Sequence, residues 1–107
     1  MTNESFENVI LELRRGVIVL AVLSRLDREQ YGYSLIKSLS DAGLEIDQGT
    51  LNPLLRRLEG QGLLQSAWRV ETDRPRRYYV LSDEGRTLLP RLKEEWAAIV
   101  SMMDKLL

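Results

Sequence analysis

Residues Asp47–Gly62 read DQGTLNPLLRRLEGQG. Leu51, Leu54, Leu55 and Leu58 recur at three- and four-residue intervals, so on a helix turning about 100° per residue they make one apolar stripe. Gly49, Asn52, Pro53 and Arg56 fall opposite, with Thr50 and Arg57 on the flank. Asp47 is a residue type that caps helix N-termini, and Gly62 suits the left-handed position just past a helix. The outer face is therefore small, polar and basic. Small residues let a backbone approach a large partner closely, while Arg and Asn pair bidentately with guanine and adenine edges. Pro53 removes one helical hydrogen bond and crowds the preceding turn. The pattern permits two starts: near Gln48, or near Asn52 with Pro53 in the first helical position.

Working upstream, Tyr31–Ala42 reads as a helix with Leu35, Ile36 and Leu39 inward and Gly43 as its stop. Leu44–Ile46 is a brief extended piece. Two short helices joined by a tight glycine-containing turn, the second polar on its outside, make a helix-turn-helix. Downstream, Leu63–Val70 and Arg76–Leu81 carry the β-formers Trp68, Val70, Tyr78, Tyr79 and Val80. Glu71–Pro75 between them reads as a turn-rich loop, giving a hairpin with arginine at its tip. Such a hairpin after a helix-turn-helix is a wing.

Both flanks are helical. In residues 4–25, Phe6, Val9, Ile10, Leu13, Val17 and Leu20 keep helical spacing, and beyond Arg15 the run GVIVLAVL is apolar nearly all round, which predicts a helix buried on most sides. Leu26–Gln30 reads as a polar connector. Ser82 is placed to cap a last helix over 83–107, about 37 Å long at roughly 1.5 Å per residue. Along it Leu88, Leu92, Trp96, Ile99, Met103 and Leu106 approximate a heptad seam, and Pro90 predicts a kink. The fold class is mainly α (α+β): a winged helix-turn-helix with long N- and C-terminal helices forming a dimer interface. The expected division is 1–82, the DNA-binding unit with its N-terminal arm, and 83–107, the dimerisation helix.

A chain of 107 residues is one domain, or one domain with an arm. It contains no cysteine and no histidine, which removes disulfides, thiolate metal sites, the commonest general base and the commonest zinc ligand. With no glycine-rich phosphate loop and no paired acidic motif, an enzyme is not expected, nor a cofactor or metal. Val17–Leu23 is too short to span a bilayer, so no membrane partner is expected and the expected location is cytoplasmic. Between Gln48 and Val80 there are six arginines against three carboxylates, a charge of +3 inside a chain whose net charge is −1. A basic middle between acidic arms assigns one face to an anion and another to protein contacts.

The ordered set of short motifs resembles the PadR family of transcriptional regulators, in its small subfamily with a single C-terminal helix. The matching pieces are Leu13-Arg14-Arg15-Gly16, Tyr31-Gly32-Tyr33, Gly49-Thr50-Leu51, Pro53–Glu59, Gly62-Leu63-Leu64, Asp73–Tyr79, Leu81-Ser82 and Gly85. They run from about residue 13 into the last helix. The family keeps a proline inside its recognition helix, so the resemblance implies a start near Gln48. Two residues depart from its pattern. Asn52 stands where tyrosine is usual, which alters the expected operator, and Pro90 replaces a helix-forming residue.

On this basis Asn52 and Arg56 are expected at base edges, alongside Pro53 on the same face. Thr50, Arg57 and the backbone at Gly49 are expected at phosphates, which helix N-termini favour. Arg74, Arg76 and Arg77 are assigned to the wing's contact with the minor groove or its phosphates. Tyr33 has two open readings, a phosphate contact or a half-buried packing residue. Trp96 also has two. One is an apolar anchor in a dimer seam with Leu92, Ile99 and Met103; Phe6, Val9 and Leu13 of the first helix are expected at the same interface, lining its cavity in the second reading. The other comes from the resemblance: in small multidrug-responsive members a tryptophan on this helix meets its symmetry mate, and the paired indoles stack flat aromatic ligands. Glu95 would favour a cationic ligand there. The expected partners are thus palindromic double-stranded DNA, a second copy of the chain, and a hydrophobic aromatic small molecule that releases a repressor. A winged-helix adaptor binding an acidic protein is the alternative, since one fold hosts both functions.

Overall fold

The computed structural model describes residues 2–107. Its elements run α1 (Asn3–Ser24), β1 (Gln30–Tyr31), α2 (Gly32–Asp41), α3 (Gln48–Gly60), β2 (Leu64–Glu71), β3 (Arg74–Leu81) and α4 (Asp83–Leu106). The three strands form one antiparallel sheet in the order β1-β3-β2. This is the mainly helical winged helix-turn-helix expected from the sequence, with one strand more than the sequence pattern provides.

That strand is β1. Gln30 and Tyr31 pair with Tyr79 and Tyr78, so the end of the supposed polar connector closes the sheet, and α2 starts one residue later than predicted. Two residues are too short to show a period of two, which is why no strand was visible there. Leu26, read as part of the same connector, is fully buried, and its carbonyl accepts the Leu81 N–H at 2.8 Å.

Around the stripe of α3 the core assembles from Val22 and Leu23 of α1, Leu26 just beyond it, Leu35 and Leu39 of α2, Leu64, Tyr79 and Leu81 of the sheet, and Leu89 of α4. All four stripe leucines are buried. Each is stabilised by about 1.5–3 kcal/mol relative to exposure. Both α2 and α3 stop at glycines with positive φ, Gly43 (97°) and Gly62 (82°). After α3 the Leu63 N–H returns to the Leu58 carbonyl and the Gly62 N–H to that of Glu59, a Schellman closure that turns the chain into β2.

The expected five-residue loop between the wing strands is in fact a two-residue turn. Glu71 pairs directly with Arg74, and Thr72 and Asp73 both take positive φ (49° and 64°), as a type I′ turn requires. Pro75 therefore lies inside β3, paired with Val70. It is tolerated because β1 reaches only Tyr78 and Tyr79, so on that side Pro75 is an edge position with no ladder bond to give.

Gly85 locks the start of α4. Ser82 caps the helix through the Gly85 N–H (3.0 Å), donates its hydroxyl to the Gly62 carbonyl (2.6 Å), and gives its own N–H to the Leu63 carbonyl (3.0 Å). The helix then runs unbroken through Pro90. By contrast, α1 is less covered than its composition predicts: Gly16 and Val17 are exposed, Ile18 to Ala21 half-buried, and only Val22 and Leu23 fully buried. The molecule is accordingly elongated, 50 × 35 × 24 Å, with a radius of gyration of 15.6 Å. A compact chain of this length has about 13 Å. Among the described residues no helix is long and apolar enough to cross a membrane.

The Gly85 junction is directly testable. A methyl group at this position would run into the Leu63 carbonyl oxygen and the Leu81 side chain, whereas at Gly60 it would meet open space. Gly85→Ala is expected to lower unfolding stability by about 1–3 kcal/mol. Gly60→Ala should leave it unchanged or slightly higher. Paired denaturant titrations check both.

Candidate nucleic-acid interface

The helix α3 begins at Gln48, the earlier of the two starts the pattern allowed, and Pro53 sits inside it. Asp47 is the N-cap, its carboxylate accepting the Thr50 N–H at 2.8 Å. Hydrogen bonding to the Thr50 side chain and then its backbone N–H holds Asp47 below the ordinary carboxylate value of 3.8. Because the leucines turn inward, the outer positions of α3, including Gly49, Thr50, Asn52, Pro53, Arg56 and Arg57, are all exposed.

The wing folds across one side of this face. Between them lies a cleft of about 670 Å³ lined from α3 by Gln48, Asn52 and Arg56, from the end of β1 and the start of α2 by Tyr31, Gly32 and Tyr33, and from the wing by Trp68, Arg74, Pro75, Arg76, Arg77 and Tyr79. Six of the ten residues assigned to DNA from sequence thus share one concavity: Tyr33, Asn52, Arg56, Arg74, Arg76 and Arg77. Gly49, Thr50, Pro53 and Arg57 lie outside it on the exposed surface of α3. The Asn52 side-chain oxygen sits against the first residue of α2, 3.5 Å from where a Gly32 Cβ would stand. Tyr33 is exposed and stacks on Tyr31 with ring centroids 6.4 Å apart.

The three wing arginines differ in their partners. Arg74, at the tip, makes no ion pair among the described residues. Arg76 lies over the Tyr31 ring at 4.5 Å and reaches Glu71 at 3.4 Å. Arg77 is directed inward: its Nη2 donates to Glu59 at 2.7 Å and its Nε to Ser66 at 3.0 Å. On the outer face Arg69 pairs with Glu29 at 2.6 Å and lies over Tyr78. The two tyrosines of β3 divide as alternation requires, Tyr79 in the core and Tyr78 on the outer face. Burial raises the Tyr79 phenol, and the Arg77 charge partly opposes this.

Sequence reading assigned no DNA contact to six residues that line the cleft: Tyr31, Gly32, Gln48, Trp68, Pro75 and Tyr79. Gln48 and Tyr31 lie at element starts, where no periodic signal singles them out. In the sequence Trp68 reads only as a strand former. In register it lies opposite Arg77, on the hairpin face turned toward α3, and it is 66% exposed. An exposed indole beside arginines is available to a partner rather than to the core.

The residues assigned to the dimer seam are elsewhere. Phe6, Val9 and Leu13 of α1 and Trp96, Ile99 and Met103 of α4 are all exposed, with Glu95 among them, while Leu92 packs partly against the chain's own core. The seam read from sequence therefore splits. Leu88 and Leu92 are half-buried within the chain, and the positions from Trp96 onward are exposed.

The family described as "Transcriptional regulator PadR-like family" matches residues 19–91. A Mycobacterium tuberculosis transcriptional regulator is 40% identical over 79 residues, covering 73% of this chain and 74% of that protein. The crystal structure of a PadR family transcriptional regulator from Eggerthella lenta is similar with a TM-score of 0.89 and 44% identity, over 97% of this chain and 93% of that one. A PadR-like transcription factor from Bacteroides fragilis gives 0.78 and 30% over 94% and 99%.

The Asp47 cap has a pH signature. A depressed folded pKa contributes stability that is present above 3.8 and lost as pH falls through the lower folded value. The Tm advantage of the native protein over Asp47→Ala should therefore be greatest near neutral pH and shrink below about pH 4. Asp47→Asn, which caps without titrating, should differ from Asp47→Ala by a nearly constant Tm over the same range. Thermal melts from pH 7 to pH 3, as a typical series, measure this.

Proposed function

Since the chain belongs to the PadR-like family of transcriptional regulators, we propose that it is a homodimeric repressor that seats two copies of α3 in successive major grooves of a palindromic operator. One observation carries this reading: the exposed face of α3 and the arginine-bearing wing line a single cleft. A recognition helix needs small and bidentate residues toward the bases, here Asn52 and Arg56, and cations toward the phosphates, here Arg57 and Arg74. The helix start at Gly49 and Thr50 offers backbone N–H groups to a phosphate, and Tyr33 a hydroxyl. Wing residues Arg74 and Arg76 reach the flanking backbone or minor groove. These regulators are DNA-binding proteins and not enzymes, which agrees with the absence of histidine and cysteine.

The dimer follows from exposed apolar area. Phe6, Val9 and Leu13 on α1 and Trp96, Ile99 and Met103 on α4 leave two stripes open on neighbouring helices. A two-fold axis lets each copy cover the other, with residues 83–107 as the dimerisation arm. Two recognition helices then stand roughly 34–36 Å apart, one turn of DNA. A flat aromatic molecule stacked on Trp96, its positive charge facing Glu95, would spread the helices and detune that spacing, releasing the operator.

Two measurements test this. Arg74→Gln should weaken binding to all duplexes and reduce the slope of log affinity against log salt by about 1. Asn52→Ala should instead relax base preference, at about 1–3 kcal/mol against the best site. A shallow salt slope in the native protein, with binding to an acidic protein, would point to an adaptor. For the ligand, titration with a flat aromatic cation should quench tryptophan emission saturably and lower operator affinity, and Trp96→Ala should abolish both responses. If operator binding persists with no saturable quenching, the repressor takes no such ligand. Trp68 cannot serve as an inert reference once DNA is present, because it lines the cleft.

A further inference from the structure

We propose that Arg77 and Glu59 form a strut that sets the position of the wing against α3, and that Arg77 acts on DNA through this positioning rather than by touching a phosphate. The inference rests on the reading of the cleft as a DNA interface.

Three elements meet in one closed set of bonds. Arg77 of β3 donates from Nη2 to Glu59 of α3 at 2.7 Å and from Nε to Ser66 of β2 at 3.0 Å. The Ser66 hydroxyl donates in turn to the second Glu59 oxygen. Both members of the ion pair are about two-thirds covered, their side chains being 34% and 27% exposed. The guanidinium also lies over the rings of Tyr79 (5.4 Å) and Trp68 (5.8 Å). Two nitrogens of its fork are thus engaged beside two aromatic rings, and Arg geometry suits such planar use with two acceptors.

The position along the hairpin matters. The short strand β1 supports β3 only at Tyr78 and Tyr79. From Arg77 outward the wing is a two-stranded ribbon, which is marginally stable by itself. Arg77 stands at the first unsupported residue and ties the ribbon to the C-terminal half of the recognition helix.

Glu59 supplies the second argument. It is the only acidic residue in α3. A carboxylate on a helix that faces a polyanion opposes binding unless its charge is neutralised and used. Arg77 neutralises it, which leaves Arg56, Arg57 and Arg74 as the cations without an ion pair among the described residues on this face.

The two roles for Arg77 predict opposite signs for Glu59→Ala. In a strut, the substitution removes a negative charge near DNA yet weakens operator binding, on the order of tenfold. Arg77→Ala should match it, the double variant should be no weaker than either single one, and the salt slope should not change for any of them. Arg77→Lys should recover part of the loss, since an ammonium keeps one partner but not the fork. Tighter binding by Glu59→Ala, or a slope reduced by about 1 in Arg77→Ala, would make Arg77 a phosphate contact and overturn the proposal. Thermal melts establish that each variant is folded, and Glu59→Gln is the milder substitute where Ala is not. Trp68 emission in a Trp96→Phe background gives a readout without DNA. Equal, non-additive shifts in the two single variants support the strut, and additive shifts overturn it. If the native protein binds no duplex at all, the interface reading falls while the emission series still decides the strut.

Discussion

Burial of one leucine stripe on α3 is the constraint from which the rest follows. Leu51, Leu54, Leu55 and Leu58 pack into a core otherwise made largely of leucines from α1 to α4. Truncating any one of them to alanine would cost about 2–5 kcal/mol, a large part of a small domain's stability. With that face fixed inward, the opposite face has no freedom: Gly49, Asn52, Pro53 and Arg56 must look out. The helix also retains Pro53 in its interior. The lost hydrogen bond and the ring's crowding of the preceding turn cost about 3 kcal/mol or more, and four buried leucines outweigh it.

Around this anchor the wing is placed by polar contacts rather than by packing. Its outer half buries almost nothing: Val70 is 76% exposed. What fixes its direction is a ladder of alternating registers. One face sends Arg77 to Glu59, and the other sends Arg69 to Glu29 and Arg76 over Tyr31. Period-two alternation thus divides a run of like arginines into different tasks. Exposed ion pairs contribute little to stability individually. Their effect here is geometric, holding a thin ribbon at one angle beside a helix.

The two long helices show the opposite economy. They carry apolar stripes that their own chain leaves open, and the elongated shape is the consequence. Short loops and the Ser82–Gly85 junction orient α4 from the sheet, so the exposed stripe of α4 is held in a defined direction relative to the cleft between α3 and the wing.

Periodicity made the four helices, the hairpin and the inward leucines readable, because each rests on local spacing and on capping residues such as Asp47, Gly62 and Ser82. The division of the outer face of α3 from its core face was readable for the same reason. Tertiary structure decided what spacing cannot encode. The strand β1 exists only because Tyr78 and Tyr79 offer it a partner, and Leu26 is buried only because the sheet closes over it. Glu71–Pro75 contracts to a two-residue turn because the register of two strands, not loop composition, sets where pairing ends. Arg77 reads as one more wing cation until Glu59, eighteen positions away, is brought beside it. Local pattern determines which way a side chain faces, and only the folded chain determines what it meets there.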